Sequence, residues 1–220
     1  KNVLAQNIEN EIDSINSIMN NIYYNTIKKY DIQDKNFKTI LANEITSNSE
    51  TIYGLALYDT DGKNLWHSNN LTSTSMQNES WFTQAKDNIE TICYGSKKLV
   101  YPDNVKQEFQ ISRYVEYINH GKMKSGVLLM QYYTDSIDAI LEHYKNTQNS
   151  YCYLLDNTSN FLYHPFIKEI SSGLYKENTT KIALNSTNYS IKKLHGTKWL
   201  IERQQIGYTG WNIVLVSSLF

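Results

Sequence analysis

Residues 1–30 contain no glycine or proline, and Leu4, Ile8, Ile12, Ile15, Met19 and Ile22 step along the chain by three or four. Side chains at that step share one face of an α-helix, while Asn7, Glu9, Asn10, Asp13, Ser14, Asn16 and Asn20 fill the other faces. At ~1.5 Å of rise per residue, the predicted helix is about 45 Å long. One apolar stripe suits a spine, a first core helix or a coiled-coil arm. The two similar units that follow need a common support, which favours the spine.

Further along, Asp34 stands where it can cap a second helix whose Phe37, Leu41 and Ile45 recur every four residues. After a polar break, residues 53–67, YGLALYDTDGKNLWH, give an apolar strand, an Asp-Gly turn and a second strand, which predicts a β-hairpin. A long polar loop over 68–80 leads into a short helix over 79–89 that carries Trp81, Phe82 and Ala85. Strands are predicted over 91–99, 108–117 and 126–133, the last two joined around His120-Gly121. Ile137, Ile140 and Leu141 restore helical spacing over 135–144.

A second unit opens near Ser150 and repeats the first. With Asp156 set under Asp59, Leu154 falls under Leu57, Leu162 under Leu65, Tyr163 under Trp66 and His164 under His67. The closing stretches GVLLMQYY from Gly126 and GWNIVLVSS from Gly210 are both a glycine followed by an apolar run. Hairpins resemble one another in general, but agreement of order and register at both ends of the unit favours an internal duplication. Between these ends, a short helical or irregular piece is predicted over 167–174 and strands near 181–184, 189–194 and 200–204. The predicted organisation is therefore a helical region over 1–50, one module over 51–149 and another over 150–220.

Composition narrows the function classes. With 220 residues, 40% hydrophobic and 20% charged, the chain can bury a core and is not of the disordered type. A formal net charge of −1 makes no electrostatic case for a nucleic-acid partner or an anionic membrane surface. Eighteen tyrosines against two prolines fit strand-rich structure whose aromatic side chains can line a polar pocket. Cys93 and Cys152 lie in different units with no CxxC or CxxH spacing, so neither a zinc site nor a disulfide framework is indicated. No apolar run reaches the ~18 residues that cross a bilayer. The start inside a helix and the apolar end over 211–220 read as a piece of a longer protein.

The segments LALYDTDGKNLWHS, SWFTQAKD, SRYVEYINHGKMKSGVLLMQYY, YLLDNTSNFLYHP and GYTGWNIVLV, in that order, resemble the double Cache sensor domains of bacterial transmembrane receptors. The resemblance covers essentially the whole chain. The "YLLD…YHP" and "TGW" segments resemble sensor histidine kinases most, with chemoreceptors next. The resemblance implies an α+β fold: a long N-terminal helix and two PAS-like modules, each an antiparallel sheet flanked by short helices, with ligand held in the distal module over 51–149. It also implies, for amino-acid-binding members, an Arg two residues before the Trp of the short helix and an Asp in the last distal strand. Glu79 and Gln131 stand at those positions, so the expected ligand is small and polar but not an ordinary amino acid.

Trp81 and Phe82, on the short helix, are predicted to wall the ligand site, and Gln131 alternates with Leu129 and Tyr133 on one face of the last distal strand. An amide in an apolar strand is either a satisfied core group or a ligand contact, and the family position favours the ligand. Gln110 and Arg113 share a strand with Tyr114; Arg113 can supply charge to an anionic ligand or pair with a surface acid, and Tyr94 and Tyr101 are rim candidates. His67, His164 and Asp156 invite a metal site, but hairpin chemistry accounts for them more simply. No catalytic motif such as GxSxG, HExxH or a P-loop occurs, so neither an enzyme nor a cofactor is expected.

The sequence thus predicts the ligand-binding sensor domain of a signal-transduction receptor, on the extracellular side of a bacterial membrane, with a histidine kinase as first expectation. A chemotaxis receptor and a surface adhesion module are the alternatives. The expected partners are a small-molecule ligand, flanking transmembrane helices and a second copy in a full-length homodimer.

Overall fold

The computed structural model describes residues 3–68, 75–90, 92–101, 104–145, 150–176, 189–194 and 196–219; side chains are described except at 96–101, 104–108, 145 and 189–194. The strand expected near 181–184 lies outside the described residues. Two compact units are formed, one from residues 1–12, 98–107 and 134–220 and the other from 13–97 and 108–133. The architecture is α+β, with one five-stranded antiparallel sheet in the order β2-β1-β5-β4-β3 and a second in the order β7-β6-β10-β9-β8.

Helix α1 (Val3–Ile22) carries the predicted stripe, with Ile8, Ile12, Ile15, Met19 and Ile22 all buried. Its α-helical part is shorter than the spacing predicts, about 30 Å at ~1.5 Å per residue. Residues Tyr23–Ile27 continue as a π-helical turn, closed by the Lys28 N–H donating to the Tyr23 carbonyl at 2.9 Å. The wider turn buries Ile22 and Ile27, five residues apart, together with Tyr23 and Thr26. Helix α2 (Lys35–Ser47) is capped as expected: the Asp34 carboxylate accepts the Asn36 N–H at 2.8 Å, and Phe37 and Leu41 are buried.

The first sheet contains β1 (Ile52–Asp59), β2 (Asn64–His67), β3 (Cys93–Tyr101), β4 (Asn104–Asn119) and β5 (Lys122–Tyr132), with α3 (Ser80–Asp87) inserted after β2. β1 is buried along nearly its whole length because it lies between β2 and β5 and is covered on both faces. The β1–β2 turn has Gly62 at φ 82° and Asp59 accepting the N–H groups of Asp61 and Lys63, each at 2.9 Å. His120 and Gly121, at φ 50° and 72°, make the β4–β5 turn that the sequence places there.

The second sheet repeats the plan with β6 (Ser150–Leu155), β7 (Phe161–Tyr163), β8 (Tyr189–Leu194), β9 (Thr197–Ile206) and β10 (Trp211–Leu219), plus α4 (Asp135–Lys145) and α5 (Ile167–Ser171). Asp156 accepts from the N–H groups of Thr158 and Asn160 as Asp59 does in the first hairpin. Leu57 faces Leu128, and its counterpart Leu154 faces Ile213. The glycines that open the closing strands are one place out of step. Gly126 pairs with Asp59 inside β5, whereas Gly210, at φ 75°, precedes β10 in a turn.

Gly126 is required by crowding. A Cβ there would run into the Tyr58 carbonyl oxygen and come within 3.0 Å of the Tyr117 ring. Gly126→Ala is therefore expected to lower unfolding free energy by ~2 kcal/mol or more, read from the midpoint of a urea melt. A second expectation concerns Asp31, whose carboxylate accepts the N–H groups of Gln33 at 2.9 Å and Gly121 at 2.7 Å. These bonds hold its pKa below the ordinary value of 3.8. The stability it contributes is present above the unfolded pKa and lost as pH falls through the lowered folded one. A carboxyl NMR titration should place the Asp31 midpoint below that of exposed aspartates.

Candidate functional site

The two faces of the first sheet have different chemistry. On one face, Ala56, Tyr58, Val127 and Leu129 pack against Phe82 and Ala85 of α3, with Met76, Trp81 and Cys93 partly buried beside them. Tyr58, Trp81 and Phe82 form a set of edge-to-face rings with centroids 5.7–6.3 Å apart. Burial pushes the Tyr58 hydroxyl up to about 12 and raises the Cys93 thiol, so both stay neutral near pH 7. Ser112 donates to the Trp81 carbonyl at 3.4 Å, holding α3 to β4.

Next to this apolar patch lies a row of a different kind. Gln131 of β5 is directly opposite Gln110 of β4, and directly opposed residues of an antiparallel pair share a face. On its other side Gln131 faces Gly54 of β1. Gln110 is flanked by Gly95 of β3, where an added Cβ would lie 3.6 Å from both Cγ and Nε2 of the glutamine. The row therefore reads Gly54, Gln131, Gln110, Gly95: two opposed carboxamides with a glycine on either side.

Gln110 is 7% exposed and Gln131 5%, and the carboxamide of neither is cut off from solvent without a hydrogen bond. Each presents a carbonyl acceptor and an NH₂ donor, so the opposed pair offers polar groups that a further molecule can meet.

The sequence candidates are thus divided between faces. Trp81, Phe82, Gln110 and Gln131 belong to the α3 side; Tyr133, which follows β5, makes an edge contact with Tyr53 at 5.6 Å. Tyr94 and Arg113 are engaged by α1 instead. The Asn16 amide donates to the Tyr94 hydroxyl at 2.6 Å, and Arg113 donates to Asn20 at 2.6 Å with its guanidinium 4.6 Å from the Tyr23 ring centre. Tyr101 ends β3, and its side chain lies outside the described ones. The residues that the spacing did not single out are Tyr58, Ser112 and the flanking glycines. Only cross-strand register brings these to the glutamine pair.

His67 ends β2, and its Nδ1 lies 2.9 Å from the Ser68 carbonyl oxygen. His164 is buried, and its Nδ1 accepts the Phe166 N–H at 3.0 Å. Among the described residues no group of His, Cys, Asp and Glu has the arrangement of a metal site. The other unit has a groove of about 590 Å³ lined by Val3, Leu4, Asn7, Ala139, Ile140, His143 and Tyr144. Its lining is mainly hydrocarbon and open to solvent, unlike the buried amide pair.

The engagement of Arg113 with Asn20 and Tyr23 gives it a structural duty. Arg113→Ala should lower stability by ~1–3 kcal/mol in denaturant melts, through the loss of a charged hydrogen bond and a cation–π contact.

No family model and no curated protein matches the sequence. Solved structures do match in fold. The ligand-binding domain of the Pseudomonas aeruginosa chemoreceptor PctC, in complex with GABA, superposes with a TM-score of 0.71 at 16% identity, covering 98% of this chain and 95% of that one. The corresponding domain of PctB from the same organism, with L-Arg, gives 0.67 at 14% identity, covering 98% and 84%. That of Pseudomonas fluorescens CtaA, with L-alanine, gives 0.65 at 15% identity, covering 98% and 92%. Among the described residues no helix is long and apolar enough to cross a membrane.

These neighbours overturn the expectation that an ordinary amino acid is excluded, since they are solved with GABA, arginine and alanine. The physical reason lies in the two positions on which that expectation stood. Glu79 is exposed at the start of α3, so water screens its charge and it does not set the character of the buried row. Gln131 offers a carbonyl that can accept from an ammonium and an NH₂ that can donate to a carboxylate. The neighbours are ligand-binding domains, not enzymes. With two five-stranded sheets and a long leading helix, the chain has the fold of the ligand-binding domains of these bacterial chemoreceptors.

Proposed function

We propose that this chain is the extracytoplasmic ligand-binding domain of a bacterial transmembrane chemoreceptor, and that it takes a small amino-acid-type ligand over the α3 face of its first sheet. The observation that carries this reading is the directly opposed, largely buried pair Gln110 and Gln131 on the face that holds the Tyr58, Trp81 and Phe82 rings. A ligand with a polar end and a short hydrocarbon part satisfies both halves of such a surface. A chemoreceptor is preferred to the histidine kinase expected from the sequence segments because the fold neighbours described above are chemoreceptor domains.

Signalling requires that the ligand bind one arrangement of this module more tightly than another, since equal affinity for both shifts nothing. Strands β4 and β5 connect the two faces. Gln110 and Gln131 project towards α3, while the adjacent Ile111 and Met130 belong to the opposite face. A ligand that draws the glutamine pair together therefore also acts on the packing behind it.

Calorimetry with the common L-amino acids and GABA tests the assignment, with a thermal-shift series alongside. A true ligand at a hundredfold excess over its Kd should stabilise the domain by ~2.7 kcal/mol. Trp81→Ala should remove most of that gain by opening the aromatic wall. No binding by any member of the panel, or binding unaffected by Trp81→Ala, would exclude this site.

A further inference from the structure

The turns that close the two first hairpins are built alike. In each, the leading aspartate accepts two turn N–H groups: Asp59 those of Asp61 and Lys63, Asp156 those of Thr158 and Asn160. The Asp59 N–H donates to the Lys63 carbonyl at 2.9 Å, and the Asp156 N–H to the Asn160 carbonyl at 2.9 Å. Three places after the aspartate φ is positive in both, at 82° for Gly62 and 64° for Ser159. Since Ser159 takes this conformation within the same set of bonds, the turn by itself does not demand a glycine.

What distinguishes Gly62 is the chain that lies against it. A Cβ there would stand 2.5 Å from the Gln77 N and 2.8 Å from its Cα. Both distances fall well inside the ~3.5–4.0 Å at which carbon atoms pack. The obstacle is backbone, which cannot rotate aside as the end of a side chain can. The Gly62 carbonyl also accepts the Met76 N–H at 3.0 Å, and the Met76 carbonyl accepts the Glu79 N–H at 3.0 Å, immediately before α3 begins at Ser80. Met76 and Trp81 pack against the cluster that holds Tyr58 and Phe82. The bond from Ser112 to the Trp81 carbonyl, at 3.4 Å, is long by comparison.

We propose that the β1–β2 turn is the seat of α3, and that Gly62 is a positioning residue which, by having no side chain, fixes where Met76 and Trp81 stand over the first sheet. The seat follows from the contacts of the turn; its effect on affinity rests on the reading of α3 as a ligand wall given above. The second hairpin, with the same turn and a serine at this place, supplies the control.

Gly62→Ser gives the first turn the residue that its counterpart already carries. Hydrogen exchange read by mass spectrometry should then show the amides of 76–87 exchanging about tenfold or more faster than in wild type, with those of β1 and β5 unchanged, because local contacts govern local opening. Ser159→Gly, the reciprocal change, should alter exchange at its own turn only. Faster exchange confined to 59–63, or no change anywhere, overturns the proposal. So does loss of a cooperative melt in Gly62→Ser, which would make the glycine a requirement of the whole module. Calorimetry with the common L-amino acids and GABA reads the consequence: any member that binds wild type should bind Gly62→Ser about tenfold or more weakly. If α3 loosens while that affinity is unchanged, the seat stands and the reading of α3 as the ligand wall is overturned. If no member binds the wild-type chain, the ligand reading falls and exchange still decides the seat.

Discussion

The pairing of each module's first strand with its last is the constraint on which the other elements depend. β1 pairs with β5 and β6 with β10, and each pair occupies the middle of its sheet. A central strand covered on both faces must be apolar throughout, which is why LALY and LLMQYY, and YLL with IVLV, are runs and not alternations. Each fully buried Leu, Val or Met contributes ~1.5–3 kcal/mol, so these four strands supply much of the driving force. β2 and β7 then add by tight hairpins on one side, and the longer excursions through β3–β4 and β8–β9 fill the other.

Within that arrangement Gln131 is conspicuous, because it stands in the apolar half of a central strand. Leu128, Leu129, Met130 and Tyr132 around it are buried hydrophobes. Folding alone would favour another hydrophobe at this place. A carboxamide retained there, opposite a second one and between two glycines, conflicts locally with the logic of the core, and such conflicts are expected where a protein binds something. The rest of the face is an ordinary packed patch, in which the rings of α3 and β1 form an apolar wall beside the two amides.

The opposite face of the same sheet shows polar groups used for structure. Asn16 and Asn20 look solvent-directed in the helical pattern, but Tyr94 and Arg113 reach them from β3 and β4. The Tyr23 hydroxyl accepts the Glu116 N–H at 3.0 Å, and its ring carries the Arg113 guanidinium, so the π-helical turn ties the end of α1 to β4. The hydroxyl of Tyr132 and Oδ1 of Asn16 are buried without hydrogen bonds among the described residues, and Tyr94 lies close enough to help raise the Tyr132 pKa. One strand pair thus presents the opposed amides on one side and a helix-clamping polar set on the other.

Much of this organisation is legible in the sequence because it rests on local periodicity. The isoleucine stripe, the Asp34 cap, the two Asp-initiated hairpins and the His120-Gly121 turn each depend on residues within a few positions of one another, and each forms where the spacing places it. The π-helical turn at Tyr23–Ile27 was not legible, since an α-helical wheel assumes a constant turn, whereas the wider one buries Tyr23, Thr26 and Ile27 together. Nor could the sequence divide the candidates between faces. Gln110 and Arg113 differ by an odd number of positions in one strand, so alternation separates them, but which side receives α1 and which α3 is decided by tertiary packing. The pairing of Gln110 with Gln131 depends on the β4–β5 register, and the glycines beside them come from two further strands. A site assembled across four strands has no signature in any one of them; only the sheet brings its parts into a row.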